Sequence, residues 1–380
     1  MELPRYAGDY STKPDDPVSA RQPSQVPARD ADLPTRYPPL EAGIATIIIN
    51  NYNYGQYLGD AIESALVQTY PNVEVIVVDD GSTDDSRSIV RSFASRVIPI
   101  LKENGGQASA FNAGLAVGRG EVTIFLDADD LLLPDTVQSV MRTIASQPDV
   151  VKVQYRLAII DADGLRSGGY IPPIDVQLPN GDLQSSMLSF PDDVPTPPTS
   201  GNAFSTSVLR RIFPIPEQEY GQTLADLYLH NLTPLFGRVV SLDHVGGLYR
   251  VHGANLHHSA GLDLSRMRRV IELSMVGHGH IRTYAQQLGI EGVPLRPEDI
   301  LSVTYVANRL LSWRLERTRH PIVGESRWRL ICDGTRAAAR RVDVPWYRRA
   351  AYGVWFPVVA VAPTALVRML GNRALGAGRT

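Results

Sequence analysis

The stretch TIIINNYNYGQYLGDAIESALVQTYPNVEVIVVDDGSTDDS, residues 46–86, decides the fold. Residues 44–49 form a short β-branched run, apolar on both faces, as a strand buried inside a sheet must be. Over 57–68 the apolar residues Leu58, Ala61, Ile62, Ala65 and Leu66 return at helical spacing. A second apolar run, 73–78, then stops at Asp79. The alternation continues with a helix over 83–95, a strand over 97–101, a helix over 108–117 and a strand over 122–126. A further helix follows over 135–146, opened by Pro134 and Asp135. Strands and helices in strict alternation specify an α/β fold: a doubly wound, mostly parallel sheet with helices on both faces.

Ligands of such sheets bind beyond the carboxyl ends of the strands. Those ends are polar throughout: Asn50-Asn51-Tyr52-Asn53, Asp79-Asp80-Gly81-Ser82, Glu103-Asn104-Gly105-Gly106-Gln107 and Asp127-Ala128-Asp129-Asp130. Four polar loops facing one crevice are therefore expected. The last one, FLDADD (125–130), gathers three carboxylates whose like charges repel. A hard cation, Mg²⁺ or Mn²⁺, would offset that repulsion. It takes one or two carboxylates and completes its shell with water and phosphate oxygens. A helix cap or a solvated turn would account for the same residues. A calcium EF-hand loop is disfavoured, because Leu132 and Gln138 stand where its glycine and its last glutamate belong. The pair Asp79-Asp80 suits either a phospho-acceptor site or a carboxylate that accepts the N3–H of uracil, and Gly105-Gly106 by itself marks only a turn.

The net charge of −3 argues against a nucleic-acid binder, yet its distribution is uneven. Residues 301–380 hold 14 Arg and no Lys against Glu316, Glu325, Asp333 and Asp343. The lone cysteine, Cys332, excludes an intrachain disulfide and a thiolate metal cage. MELPRYAGDY lacks the basic-then-apolar order of a signal peptide, so a cytoplasmic location is expected. Residues 1–40, with eight prolines, read as a disordered tail. A main domain is expected over 41–258. Within it, PDDVPTPPTS (191–200) reads as a mobile loop, 207–212 and 224–232 as short helices, and Val239-Val240 as the start of a last short strand. Helical patterns over 262–288, 297–318 and 325–341 mark a helical extension, 259–345, followed by a basic, apolar segment, 346–380.

The 46–86 stretch, together with NGGQASAFNAGLAVGRGEVTIFLDADDLLLPD (104–135), resembles the family 2 glycosyltransferases of GT-A fold. The resemblance lies in the order and spacing of four motifs over about 44–150. It continues more weakly in SGNAFSTSVLRRI (200–212), LADLYLH (224–230) and GLYRVHGANLH (247–257). It implies a nucleotide-sugar donor. Asn50 and Tyr52 would meet the nucleotide, Asp80 would recognise uracil, and Gly106 and Gln107 would line the base and ribose. Asp127 and Asp129 match the metal-associated Asp-x-Asp, with Asp129 the direct ligand and Asp127 nearer ribose or a metal-bound water. His252 would approach the metal or diphosphate. Asp226 matches the general base of inverting members, although Ala225 replaces the glutamate that usually precedes it. The processive Gln-x-x-Arg-Trp motif is missing, which implies transfer of single sugars. The implied reaction is hexosyl transfer, with inversion, from a UDP-sugar to a saccharide or lipid-linked acceptor of the cell envelope. Two rival readings are a sugar nucleotidyltransferase, which would need a Gly-rich, Arg-bearing loop where NNYNYGQY stands, and a catalytically lapsed scaffold at the membrane.

The segment WYRRAAYGVWFPVVAVAPTALVRML (346–370) carries 18 uncharged residues, 350–367, between Arg348-Arg349 and Arg368. That is the lower limit for a membrane span, and Pro357 and Pro363 divide it. An interfacial segment anchored by Trp346, Tyr347, Trp355 and arginine is expected, giving peripheral contact with the inner face of the cell membrane. A buried packing helix and a true span are the alternatives.

Overall fold

A computed structural model describes residues 37–93, 95–221, 223–253, 263–341 and 343–376. The expected tail lies, up to residue 36, outside them. The chain opens with β1 (Glu41–Asn51), α1 (Gly55–Leu66), β2 (Val73–Asp80), α2 (Ser86–Ser92), β3 (Ile98–Lys102), α3 (Gln107–Val117) and β4 (Gly120–Asp127). These are the alternating elements specified above, with ends moved by a few residues. Next come β5 (Leu131–Leu132), α4 (Thr136–Ser146), β6 (Val150–Ile160), β7 (Arg166–Ile171), α5 (Gln184–Ser189), β8 (Asn202–Ser205), α6 (Thr206–Ile212), α7 (Glu217–Tyr220), α8 (Asp226–Leu232) and β9 (Arg238–Arg250). The remainder is helical: α9 (Leu264–Gln287), α10 (Val303–Leu315), α11 (Arg327–Arg340), α12 (Trp346–Val361) and α13 (Thr364–Gly376).

Among the described residues the strands form one sheet of order β3-β2-β1-β4-β8-β6-β9-β5, with β7 paired to β6. The first four strands are parallel, in a register that sets Asn50 beside Asp127 and Asn51 beside Asp79. The second half is mixed: β8 runs antiparallel to both β4 and β6, whereas β9 is parallel to β6. One face of the sheet packs on α1, α2 and α4 through Leu58, Ile62, Val90, Val137 and Met141. The other packs on α3, α6, α8 and α9 through Phe111, Leu115, Leu209, Leu229 and Ile281. A third core joins Met267 and Ile271 of α9 to α10, α11 and α12 around Leu310, Leu330 and Phe356. Helix α9 thus contributes to two cores and couples the sheet to the helices after it.

Two acids fasten that junction. Asp193 accepts from the backbone N–H groups of Val303 (2.6 Å) and Thr304 (2.8 Å), closing the N-terminus of α10, and pairs with Arg341 at 3.1 Å. Asp192 accepts from Ser302 at 2.7 Å and pairs with His278 at 2.8 Å. Burial pushes the Asp192 carboxyl up, but His278 and the hydroxyls of Ser274 and Ser302 outweigh it and hold the group at about 2. The proline-rich loop is therefore tied to α9 and α10 where it begins.

Helix α3 crosses β1 at Gly114, where an added Cβ would collide with the Ile48 side chain. Gly114→Ala would gain about 1 kcal/mol of helix propensity. Overpacking of a filled core costs about 1–3 kcal/mol. Net destabilisation is expected, read as a lower midpoint in urea and heat unfolding.

Candidate functional site

The carboxyl ends of β1, β2 and β4 open into a cleft of about 460 Å³. Asn50, Tyr52, Asp80, Gly106, Gln107, Asp127, Asp129 and Asp226 all line it, with Tyr54, Thr199 and Tyr249. His252 stands behind Asp129, its Nε2 3.0 Å from Oδ2. The nine residues expected to form the site therefore lie together, although they come from β1, β2, β4, α3, α8 and the turns after β1, β3, β4 and β9.

Asp80 is buried and heavily engaged. The N–H groups of Gly105 (3.0 Å) and Gly106 (2.7 Å) donate to it, and Lys102 pairs with it at 2.6 Å. A carboxylate offers about four acceptor positions. Asp80 therefore holds the Gly-Gly loop at the wall of the cleft, with the Gly105 N–H reaching both of its oxygens. Gly81 and Gly106 sit at φ 83° and 82°, and a Cβ on Gly81 would lie 2.6 Å from the backbone nitrogen of Asn104. Only glycine fits there. Its neighbour Asp79 is occupied by Asn51, Ser82 and Arg87 and serves the turn. Tyr52 is 47% exposed at the rim, its ring available for stacking. Gln107 accepts from the Ala225 N–H at 3.0 Å, so it ties the start of α3 to the residue preceding Asp226.

The acidic turn after β4 has a basic neighbour that sequence reading missed. Arg250, at the end of β9, donates from its backbone to Asp130 Oδ1 and from Nε to the Asp129 carbonyl, both at 3.0 Å. Its guanidinium lies over the Tyr57 ring, 4.7 Å from the centroid. Asn50 donates to Asp127 Oδ1 at 2.8 Å. Repulsion is still not fully offset. Burial, then the charge of Asp129, push the Asp127 carboxyl up to about 7, and the same causes raise Asp130. Burial and the same acids also raise the Tyr54 hydroxyl.

This excess negative charge, with hard carboxylate oxygens and one imidazole beside Asp129, suits a divalent cation. Among the described residues no group of three metal-binding side chains is assembled in advance. The fit is that of a partial site, in which Asp129, with Asp127 and His252 at hand, would hold an ion whose other ligands come from a phosphorylated ligand and water.

Across the cleft, the Thr199 hydroxyl donates to Asp226 Oδ2 at 3.3 Å, and His230 Nε2 lies 3.7 Å from the same oxygen. Behind them Lys152 is buried on β6. Its Nζ contacts Thr196 Oγ1 at 3.0 Å and His230 Nδ1 at 3.3 Å. Among the described residues no carboxylate lies within ion-pair distance of this ammonium, and burial pulls its pKa down to about 7. Burial and the nearby Lys152 charge likewise lower that of His230. A signal for Lys152 existed: Lys152, Gln154 and Arg156 alternate with Val153, Tyr155 and Leu157, the period of a strand.

Comparison with known proteins agrees with this architecture. A model of the family described as Glycosyl transferase family 2 matches residues 46–213. An uncharacterized glycosyltransferase of Nostoc sp. (strain PCC 7120) is 39% identical over 221 residues, which are 57% of this chain and 67% of that protein. The chain belongs to glycosyl transferase family 2. Another relative, the glycosyltransferase GlyG of Streptococcus pneumoniae, is 37% identical over 117 residues, 30% of this chain and 37% of that one. The crystal structure of S. aureus TarS 1-349 aligns over 83% of this chain and 90% of that chain, with a TM-score of 0.50 and 16% identity, and so speaks for the fold alone. The family 2 match ends at Ile212-Phe213, before Asp226, Arg250 and His252. Those three enter the site through the tertiary structure.

Two outcomes follow for this family 2 site. Arg250→Met removes the guanidinium that holds the Asp129 and Ala162 carbonyls and pairs with Asp60 at 3.2 Å, leaving buried carbonyls unpaired, and is expected to cost about 1–3 kcal/mol, measured by urea unfolding. Lys152 supplies a pH test. Its ammonium is disfavoured in the fold, so the unfolded chain binds more protons between about pH 7 and 10.5. The stability is complete above that window and is lost as pH falls through it. Lys152→Met should melt above the wild type at pH 7, by about 1–3 kcal/mol, and converge with it near pH 10.5.

Proposed function

We propose that this family 2 chain is an inverting hexosyltransferase that moves a sugar from a nucleotide diphosphate donor, a UDP-sugar, to a hydroxyl of a saccharide or lipid-linked acceptor. The observation that carries the reading is the convergence of Tyr52, Asp80, Asp127, Asp129 and Asp226 on one cleft at the carboxyl ends of parallel strands. Each residue has a chemical part. Tyr52 stacks on the base and Asp80 accepts its imide N–H. Gly106, with positive φ, lets the ribose approach the backbone. Asp129, with Asp127 and His252, would hold Mg²⁺ or Mn²⁺, which when bound neutralises charge on the departing diphosphate. Asp226, oriented by Thr199 and by the Gln107 contact to Ala225, removes the acceptor proton as the hydroxyl attacks from the face opposite the diphosphate. Direct displacement from that side inverts the anomeric centre. Work on lipid-linked or envelope saccharides at the inner face of the cell membrane would give the arginine-rich C-terminal segment a purpose.

The test begins with a thermal-shift screen of UDP-, GDP- and dTDP-sugars with and without Mn²⁺. A ligand bound only by the native state raises its melting temperature. UDP-sugars should give the largest shift, and Asp129→Ala should abolish its dependence on Mn²⁺. With the donor identified, Asp226→Asn should bind it unchanged while transfer falls about 10²–10⁴-fold. Full transfer by Asp226→Asn would remove the general-base assignment. Donor binding without turnover by the wild type would favour the lapsed scaffold.

A further inference from the structure

Helix α12 has two opposed apolar faces. Phe356, Val359 and Ala360 are fully buried against the helices beneath. Tyr347, Ala351, Val354, Val358 and Val361 recur at intervals of four and three residues, so they form one stripe about 21 Å long on the opposite side. That stripe is exposed: Val354 is 62% and Val361 68% accessible. An amphipathic helix of a globular domain turns charge outward, whereas here valine faces water.

The surroundings point to the occupant. Arg348 and Arg349 stand at the start of α12, and Arg368 lies on α13 just beyond its end. None of the three forms an ion pair among the described residues. Residues 301–380 carry ten more basic than acidic side chains. Trp346, 73% exposed, adds a ring suited to the boundary between headgroups and acyl chains. Trp355, expected as an anchor, instead packs towards the helical core. No helix of the described residues is long and apolar enough to cross a membrane, and α12 has only 16 residues. An apolar stripe bracketed by arginines, too short to span, is the chemistry of a helix lying in the surface of an anionic bilayer.

We infer that the Tyr347–Val361 stripe is a docking face for anionic lipid, seated by Val354, Val358 and Val361 and attracted by Arg348, Arg349 and Arg368. The inference deepens the membrane contact proposed above and rests on it only for location. Its test reads no sugar transfer, so it and the Asp226 assignment stand or fall separately.

The full chain would be co-sedimented with phosphatidylcholine vesicles, with and without phosphatidylglycerol. Binding is expected only to the anionic vesicles and should weaken as salt rises. Arg348→Gln with Arg349→Gln should lower the partition about tenfold. Val354→Asp with Val358→Asp should abolish it. Both variants should keep the wild-type melting temperature, because all four side chains lie outside the buried core. Failure to bind anionic vesicles, or binding unaffected by both variants, overturns the inference. So does a dimer in light scattering that the aspartate variant dissociates, since the stripe would then belong to a second copy of the chain.

Discussion

The contact of Arg250 with the acidic turn after β4 is the interaction on which the site depends. Three carboxylates within four residues repel one another, and hydrogen-bond donors or positive charge must offset part of that repulsion. Strand β9 brings a backbone N–H to Asp130 from 120 positions further along the chain, and a guanidinium that holds the Asp129 carbonyl and pairs with Asp60. To do so it runs parallel to β6 over most of its 13 residues and delivers Arg250 to Asp129 and Asp130, and then His252 to Asp129. The same strand pairs with β5 just past the turn, so the wall of the cleft and its electrostatic support are one element.

The acids around the cleft are compensated to unequal degrees, and the inequality sorts them. Asp79 is enclosed by an asparagine, a backbone N–H and an arginine and holds a turn. Asp80 is tied to the Gly-Gly loop but faces the cleft as well. Asp127 keeps a carboxyl raised to about 7, by burial first and then by the charge of Asp129, which together outweigh the Asn50 donor. Lys152 shows the converse, a buried ammonium held far below the ordinary lysine range. Groups left under such strain cluster where ligands bind, since a ligand or ion completes the compensation there.

The segment at 191–200 connects distant parts of the chain to the cleft. Asp192 and Asp193 hold its start against α9 and α10, while Pro198 and Thr199 at its end line the cleft, and Thr199 reaches Asp226. The helices it is anchored to are in turn held by a buried cluster in which Arg309 pairs with Glu325 and Asp333, and His320 with Glu325. Such a cluster adds little net stability, but loss of one member leaves a buried charge unmatched. Damage far out in the helical region should therefore reach the wall beside Asp226.

The first four strands and their helices were legible in the sequence because β-branched runs and helical spacing are local signals that tertiary contacts only reinforce. The polar strand ends were legible for the same reason: a parallel sheet places them at one edge. Strands β6 and β8, and the length of β9, were not. Their residues are polar where they face partners such as buried His230 and the Pro179 carbonyl, and that becomes favourable only after the partners arrive. The roles of Arg250, Lys152 and Thr199 were invisible for a like reason, since a charge or a hydroxyl acquires its meaning from neighbours some 27 to 120 residues away. The sequence by itself determined the parallel half of the sheet and the chemical character of the crevice. Only the tertiary structure decided which charges meet, because electrostatic energy depends on distance and burial, and neither is a property of the order of residues.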